Sequence, residues 1–288
     1  MKRRYIAQKR VSRSIGGDIT MSMFLGFVGV IMGVPLVFAV SMALKSPFEF
    51  WVFPPTFLPR RPTLKNFYDL FILMSDSWVP MSRYIFNTML ITIFGTIGHI
   101  IMASMAAFAL SKYTFPGSRF LFTIVTGSLM FSTAVTGIPN YLIMTQLGLI
   151  DSYWALVLPA FGSSLGLFLM KQFMDQMIPD SVLESAGMDG ASEWQKFWTI
   201  VMPMVKPAWL TLMIFSMQSL WSIGNTPYIY SEQLKTLPYA LSQIQAGGLA
   251  RAGVGAATTV LMLLVPLSVF IFSQSNIIET MSTSGMKE

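Results

Sequence analysis

From residue 19 to residue 44 the chain runs 26 residues without a charged side chain. A bilayer's hydrocarbon core is about 30 Å thick and takes about 20 residues of helix to cross, so this stretch is long enough to span one. Inside lipid every backbone N–H and C=O must find a partner within the protein, which leaves the helix as the form such a segment takes. Five further stretches follow: residues 84–111, interrupted only by His99, then 120–150, 153–170, 207–230 and 252–278. The stretch 120–150, third along the chain, contains Gly137, Pro139, Asn140, Gln146 and Gly148 in its latter part, which predicts one span of about 18–20 residues followed by an interfacial segment. Residues 231–251 are polar, short and broken, and do not span. With 53% hydrophobic and 11% charged residues, an ordinary soluble domain is excluded. The fold class that results is an all-α integral membrane protein with six transmembrane helices.

Six spans put both termini on one side. That side carries twelve of the 19 Lys and Arg residues, among them Lys2, Arg3, Arg4, Lys9, Arg10 and Arg13, against seven on the other. Positive charge collects on the cytoplasmic side, so both termini are expected there. The chain divides into a basic cytoplasmic N-terminus (1–18), a first transmembrane helix (19–44), an external loop (45–83), a core of five transmembrane helices (84–278) and a cytoplasmic tail (279–288). A cleaved signal peptide is excluded, because its apolar region would be about 7–15 residues long, and this one is longer and ends in Lys45-Ser46-Pro47. The basic N-terminus reads as a contact with anionic membrane lipid, not with nucleic acid. In the external loop, prolines at 47, 54, 55, 59 and 62 forbid a continuous helix, and Trp51, Phe53 and Phe57 suit the membrane interface.

Several function classes drop out. No cysteine is present and only one histidine, which removes disulfides and leaves almost no material for a metal centre, so no metal and no cofactor are expected. No nucleophile and base set appears, and no Gly-x-x-x-x-Gly-Lys-Ser/Thr loop exists to hold a nucleotide, so the chain is not expected to be an enzyme. A secondary transporter keeps ionisable residues or broken helices at its midplane, and these spans hold only His99, which is expected to hydrogen-bond within the bundle. Gly29 and Gly33 form a small-xxx-small pair that permits close helix contact. What remains is a translocation subunit driven by another protein.

The segment through which such driving force could enter is residues 181–203, a polar, acidic island between apolar stretches. Ser181 with Glu184, and Ser192 with Gln195, each fit a capping box, so two short helices are predicted to start within a dozen residues. Gly190 is the expected stop of the first helix, in a left-handed conformation, and Pro203 that of the second. Trp194, Phe197, Trp198 and Val201 follow the spacing of one buried face, whereas the first helix is small and half polar, suited to insertion into a partner's cleft. Asp189 sits where a negative charge opposes the helix dipole, which hints at a partner for it.

This segment resembles the EAA loop of ABC importer permeases: Glu184, Ser185, Ala186, Gly190, Ile200 and Pro203 match, with Ser185 departing at a position that is usually Ala. Asp189, Ala191, Phe197 and Pro207 agree with the sugar-importer version. The likeness extends over the external proline loop, NTMLIT at 87–92, FPGSR at 115–119, LGLIDSYWALVLP at 147–159 and the terminal SGMKE. The chain is thereby similar to the maltose-type carbohydrate permeases. That resemblance implies the type I ABC importer (MetI-like) fold with a cytoplasmic coupling helix, in the bacterial plasma membrane. It further implies a second permease forming a heterodimer, a dimer of cytoplasmic ABC ATPase, an extracellular solute-binding protein and a sugar substrate; the alternatives are an ABC importer permease for a non-sugar solute and, after it, a secondary transporter. The ATPase-docking residues are expected at Glu184, Ser185, Ala186, Asp189 and Gly190. The pathway residues are not identified, because the family's Trp-Asn pair is replaced by Trp221-Ser222-Ile223-Gly224-Asn225.

Overall fold

The computed structural model describes residues 15–75 and 78–284; the basic N-terminal residues Lys2 to Arg13 and the terminal Lys287 lie outside them. Among the described residues there is no strand. The helices are α1 (Ile15–Leu44), α2 (Lys65–Ser75), α3 (Met81–Lys112), α4 (Ser118–Ser128), α5 (Thr133–Gln146), α6 (Trp154–Phe161), α7 (Ser164–Met177) and α8 (Asp180–Met188), followed by α9 (Glu193–Met204), α10 (Lys206–Trp221), α11 (Leu237–Gln245) and α12 (Ala252–Ser284).

Four segments are long and apolar enough to cross a membrane: Gly16–Leu44, Met81–Lys112, Trp154–Met177 and Ala252–Gln274. A fifth arises if α9 and α10, bent by 79° at Val205, count as one. The third predicted stretch departs from expectation, since it forms α4 and α5, of 11 and 14 residues, instead of one continuous span. Turn-type bonds from Met130 N to Gly127 O (3.1 Å) and from Phe131 N to Ser128 O (3.2 Å) replace the α-helical ladder between them. The fifth stretch also ends early, with α10 stopping at Trp221 and residues 222–230 leaving the helix.

Helix α3 is the hub, packed against α6, α7 and α10. It contains no proline, and Gly98 lets α6 come close: a Cβ there would lie 2.0 Å from Phe161 Cε1. One apolar cluster, around Met170, Met174, Phe197, Val201 and Leu212, joins α3, α7, α9 and α10. A second, around Leu70, Met74, Trp221 and Leu241, lies towards the other end. Pro266 inside α12 cannot donate to Met262 O, and Trp221 Nε1 takes up that carbonyl at 3.1 Å. Helix α1 packs on α12 and α2 and otherwise shows apolar side chains outward, with Gly29 and Gly33 facing open space and no close helix contact. Such a surface suits lipid.

The end of the bundle opposite α8 is held by polar staples. The buried Asn87 amide donates to Gln233 O and Lys235 O, both at 2.8 Å, and accepts from Tyr153 OH at 2.7 Å, while Thr88 Oγ1 accepts from Leu237 N at 2.8 Å. Asp151, at φ 60°, accepts from Tyr230 N (3.0 Å), Ser231 N (2.8 Å) and the Ser231 hydroxyl. The hydroxyl bond, followed by the backbone bonds, lowers its carboxyl below the ordinary aspartate range. Within the first loop, Glu49 receives the backbone N–H groups of Arg60 (2.9 Å) and Arg61 (3.0 Å), and α2 begins only after the last of the five prolines.

Candidate docking site

Helix α8 is the short helix predicted from the acidic island, but its start differs from the sequence reading. Pro179 occupies the N-cap position, with φ −66° and ψ 138°, so the helix begins at Asp180 and Ser181 caps nothing. Proline has a preset φ and no N–H, which places it readily at a helix boundary. Ser181 contributes its carbonyl, which accepts from Ser185 Oγ at 2.8 Å. Glu184 is therefore released from the expected capping box. Its carboxylate is exposed, with no hydrogen bond or ion pair among the described residues.

The far end of α8 agrees with the sequence reading. Gly190 adopts φ +81°, Gly190 N donates to Gly187 O at 3.1 Å and Ala191 N to Ala186 O at 3.0 Å. This pair of bonds is a Schellman motif, and it satisfies carbonyls that the helix end would otherwise orphan. The second capping box is present in full: Ser192 Oγ accepts from Gln195 N (3.3 Å) and Gln195 Oε1 accepts from Ser192 N (2.8 Å). Helix α9 runs one residue past Pro203, includes a π-helical turn at Lys196–Val201, and is braced across its bend by Trp209 Nε1, 3.1 Å from Met202 O. Of the predicted buried stripe only Phe197 and Val201 are buried, whereas Trp194 is 59% and Trp198 39% exposed. The π-helical turn shifts the register of the helix partway along, so four residues spaced for an ideal α-helix do not share one face.

The back of α8 is fixed from residues the sequence did not single out. Lys112, the last residue of α3, donates to Ile178 O (2.6 Å) and to Asp180 Oδ1 (2.8 Å). Its own side chain is 7% exposed, that of Asp180 78%, so the cation is buried behind the helix and the carboxylate stands in solvent. Asp175, on α7, takes Lys171 at 2.7 Å and the Ser111 hydroxyl, which ties the adjacent end of α7 to α3. Lys196 pairs with Glu193 at 2.8 Å and stands over Gly187, where a Cβ would come within 3.2 Å of its Nζ. Leu183 packs against the core cluster. The outward surface is made of Glu184, Ser185, Met188, Asp189 and Gly190, all exposed, with Ala186 half-buried beside them. Met188 is 86% exposed. This is a rigidly backed knob with small and acidic residues at its tip.

A second feature lies within the bundle. The helix predicted over 153–170 is broken at Gly162 and Ser163, where α6 ends and α7 begins with Ser163 Oγ accepting from Gly166 N at 3.4 Å. A hollow of about 490 Å³ opens there, lined by His99, Pro159, Ser163, Ser216, Ser219 and Ile223 among others. His99 is 5% exposed, yet its Nε2 has no partner, contrary to the expectation of a bonded histidine. Its ring nitrogen abuts Gly166, where a Cβ would fall 1.9 Å away.

Comparison with known proteins converges on one group. The family model described as "Binding-protein-dependent transport system inner membrane component" matches residues 99–280. Protein LplC of Bacillus subtilis is 32% identical over 210 residues, 71% of this chain and 67% of that protein. The arabinooligosaccharides transport system permease protein AraQ of Bacillus subtilis is 28% identical over 207 residues, 71% of this chain and 73% of that one. A crystal structure of a bacterial ABC transporter involved in import of the acidic polysaccharide alginate shares the fold. It superposes with TM-score 0.75 at 24% identity, covering 90% of this chain and 95% of that one.

Proposed function

Because the chain belongs to the family of binding-protein-dependent transport system inner membrane components, a family of multi-pass membrane transport subunits, we propose that it is the permease of an ABC importer for a sugar or oligosaccharide. In this reading the cargo is delivered by an external binding protein, the pathway is completed by a second permease, and ATP is hydrolysed by a cytoplasmic ATPase dimer. The chain crosses the plasma membrane six times, α4 and α5 together making the third crossing, with both termini in the cytoplasm. The domain boundaries given above follow the same topology. Helix α8 enters a cleft of the ATPase, with Glu184 facing a cation, Ser185 and Ala186 allowing close approach, and Gly190 setting the angle.

The observation that carries this is the knob itself: an exposed helix whose carboxylates at 184 and 189 have no partner among the described residues, while Lys112 holds its base. A charged group left free on a backed, small-residue surface is available for a charge-assisted bond across an interface. Because the chain lacks cysteine, single replacements can be labelled one at a time with a membrane-impermeant maleimide. Met188→Cys is expected to react only from the cytoplasmic side and to be shielded by bound ATPase, and Phe57→Cys and Leu147→Cys only from outside. Labelling of Met188→Cys from outside would end the docking assignment.

A further inference from the structure

We propose that the groove between the outer end of α1 and the first loop is a binding site for one anionic phospholipid of the outer leaflet, its acyl chain along α1 and its phosphate on Arg60 and Arg61. The site rests on the importer reading for its topology, which turns this loop outward, and it stands apart from both α8 and the α6–α7 break.

The groove has the shape and chemistry of an acyl chain. Leu36, Val37, Val40 and Leu44 of α1 form one side and Leu58 and Pro59 the other, around a volume of about 460 Å³. Residues 36, 40 and 44 recur at one-turn intervals, so the trough runs along the helix for about 12 Å. The polar group in its lining, the Ser41 hydroxyl, is already donated to Phe57 O. A soluble ligand would leave its own polar groups unpaired there, whereas a hydrocarbon chain loses nothing. The wall is also built in advance. Lys45 Nζ donates to Thr56 O, Thr63 N to Leu44 O at 2.9 Å, and the buried Asn66 amide to Ala43 O (2.8 Å) and Lys45 O (2.7 Å). These bonds satisfy the last carbonyls of α1 and strap the loop to the helix end.

What the groove opens onto decides which lipid it takes. The chain passes from Pro59 directly into Arg60 and Arg61, both exposed and neither in an ion pair among the described residues. Glu49, the carboxylate beside them, is occupied by their backbone N–H groups at 2.9 and 3.0 Å, so it fixes the turn and leaves both guanidinium groups available. Guanidinium groups bind phosphate oxygens in pairs, and their long stems reach along apolar surface to a headgroup. With Lys45, three cations stand here against one carboxylate, which favours an anionic partner. Phe48, Trp51 and Phe53 project from the same loop, largely exposed, as aromatic side chains do at headgroup level. Phosphate-binding pair, interfacial collar and apolar trough thus meet within one loop, as headgroup and chain meet within one lipid.

The test uses the full chain in its complex, with phosphatidylglycerol as the anionic probe and phosphatidylcholine as the neutral one. Native mass spectrometry of the detergent-purified complex is expected to retain phosphatidylglycerol in preference to phosphatidylcholine. A phosphatidylglycerol with a photoreactive group in its acyl chain is expected to cross-link within residues 36–44 and 58–59. Arg60→Gln and Arg61→Gln should each weaken phosphatidylglycerol binding about fivefold, and the pair about thirtyfold, as loss of near-surface cations does for anionic lipid. Arg60→Lys with Arg61→Lys keeps the charge and recovers most of that loss. Val40→Trp fills the trough and abolishes the acyl cross-link while both arginines remain. The site is refuted if the doubly Gln-substituted chain binds phosphatidylglycerol as wild type does, or if the acyl cross-link falls elsewhere. It is refuted equally if Leu36→Cys and Leu58→Cys cross-link to the second permease or to the binding protein in lipid-replete membranes, since a protein then covers the groove. Failure of the importer reading registers elsewhere, as labelling of Met188→Cys from outside.

Discussion

Gly190 offers a perturbation in which backbone geometry can be separated from packing. It holds φ +81°, and a Cβ built there meets nothing within 4 Å, so any effect of a side chain is conformational and not steric. For an L-residue the left-handed region costs about 1–2 kcal/mol, and somewhat less for Asn, whose short polar side chain tolerates it. Since 1.4 kcal/mol is tenfold, Gly190→Ala should deplete the elbow conformer about 5- to 30-fold and Gly190→Asn by less. Gly190→Pro is different in kind. It fixes φ near −65° and removes the N–H that donates to Gly187 O at 3.1 Å, so the Schellman motif cannot form at all. The assay is co-purification of the ATPase, together with sugar uptake at matched membrane levels. Both should fall in the order Gly, Asn, Ala, Pro, while insertion stays normal because no span is touched. Full uptake by Gly190→Pro, or Ala exceeding Asn, would refute the claim that the elbow's angle matters.

Glu184→Lys reverses the exposed charge and is expected to weaken ATPase association more than tenfold, the loss of one partly desolvated pair being about 2–5 kcal/mol; pull-down at graded ATPase concentration reads it. Lys112→Met removes the bond to Ile178 O and the ion pair to Asp180; with Asp180 mostly solvated, the loss is about 1–2 kcal/mol, seen as a more mobile spin label at Met188→Cys. Asp151 has a folded carboxyl below its ordinary value near pH 4, so its contribution is complete above that pH and disappears as pH falls through the lowered value. The protection of the Tyr230 and Ser231 amides against hydrogen exchange, taken relative to the intrinsic rate at each pH, should be lost as acid titrates the Asp151 carboxyl, and Asp151→Asn should abolish that pH dependence.

Four of the six predicted spans, a fifth as a bent pair, and the elbow were legible because each depends on local pattern: long uncharged runs, one glycine that must turn left-handed, a Ser-x-x-Gln capping box at 192–195. What escaped depends on contacts between residues distant in sequence. Lys112 reads as a positive-inside residue and nothing more until α3 is seen to end beside Ile178 and Asp180. Ser181 looked like a cap because it precedes Glu184 by three, yet Pro179 claims the boundary two residues earlier. The breaks at 129–132 and 162–163 were obscured for another reason. Hydropathy averages over a window and does not register a few residues leaving the helix, although Gly162 and Ser163 stood in plain view as weak helix formers.

Of the described segments long enough to span, α3 alone is free of proline: Pro35, Pro159 and Pro266 interrupt the others, and Pro203 and Pro207 flank the bend at Val205 within the bent pair. At 32 residues it is about 48 Å long, enough to run from one aqueous face to the other as a single stiff shaft. One tip holds the base of α8 through Lys112 and the end of α7 through Ser111; the opposite tip holds the segment 233–237 through Asn87 and Thr88. A displacement of about 5 Å at the first tip would tilt such a shaft by about 6° and so move the second tip, if the shaft stays straight. Where a displacement at the elbow shifts the 233–237 end, thermodynamic reciprocity requires that whatever binds at that end bias the elbow by the same free energy.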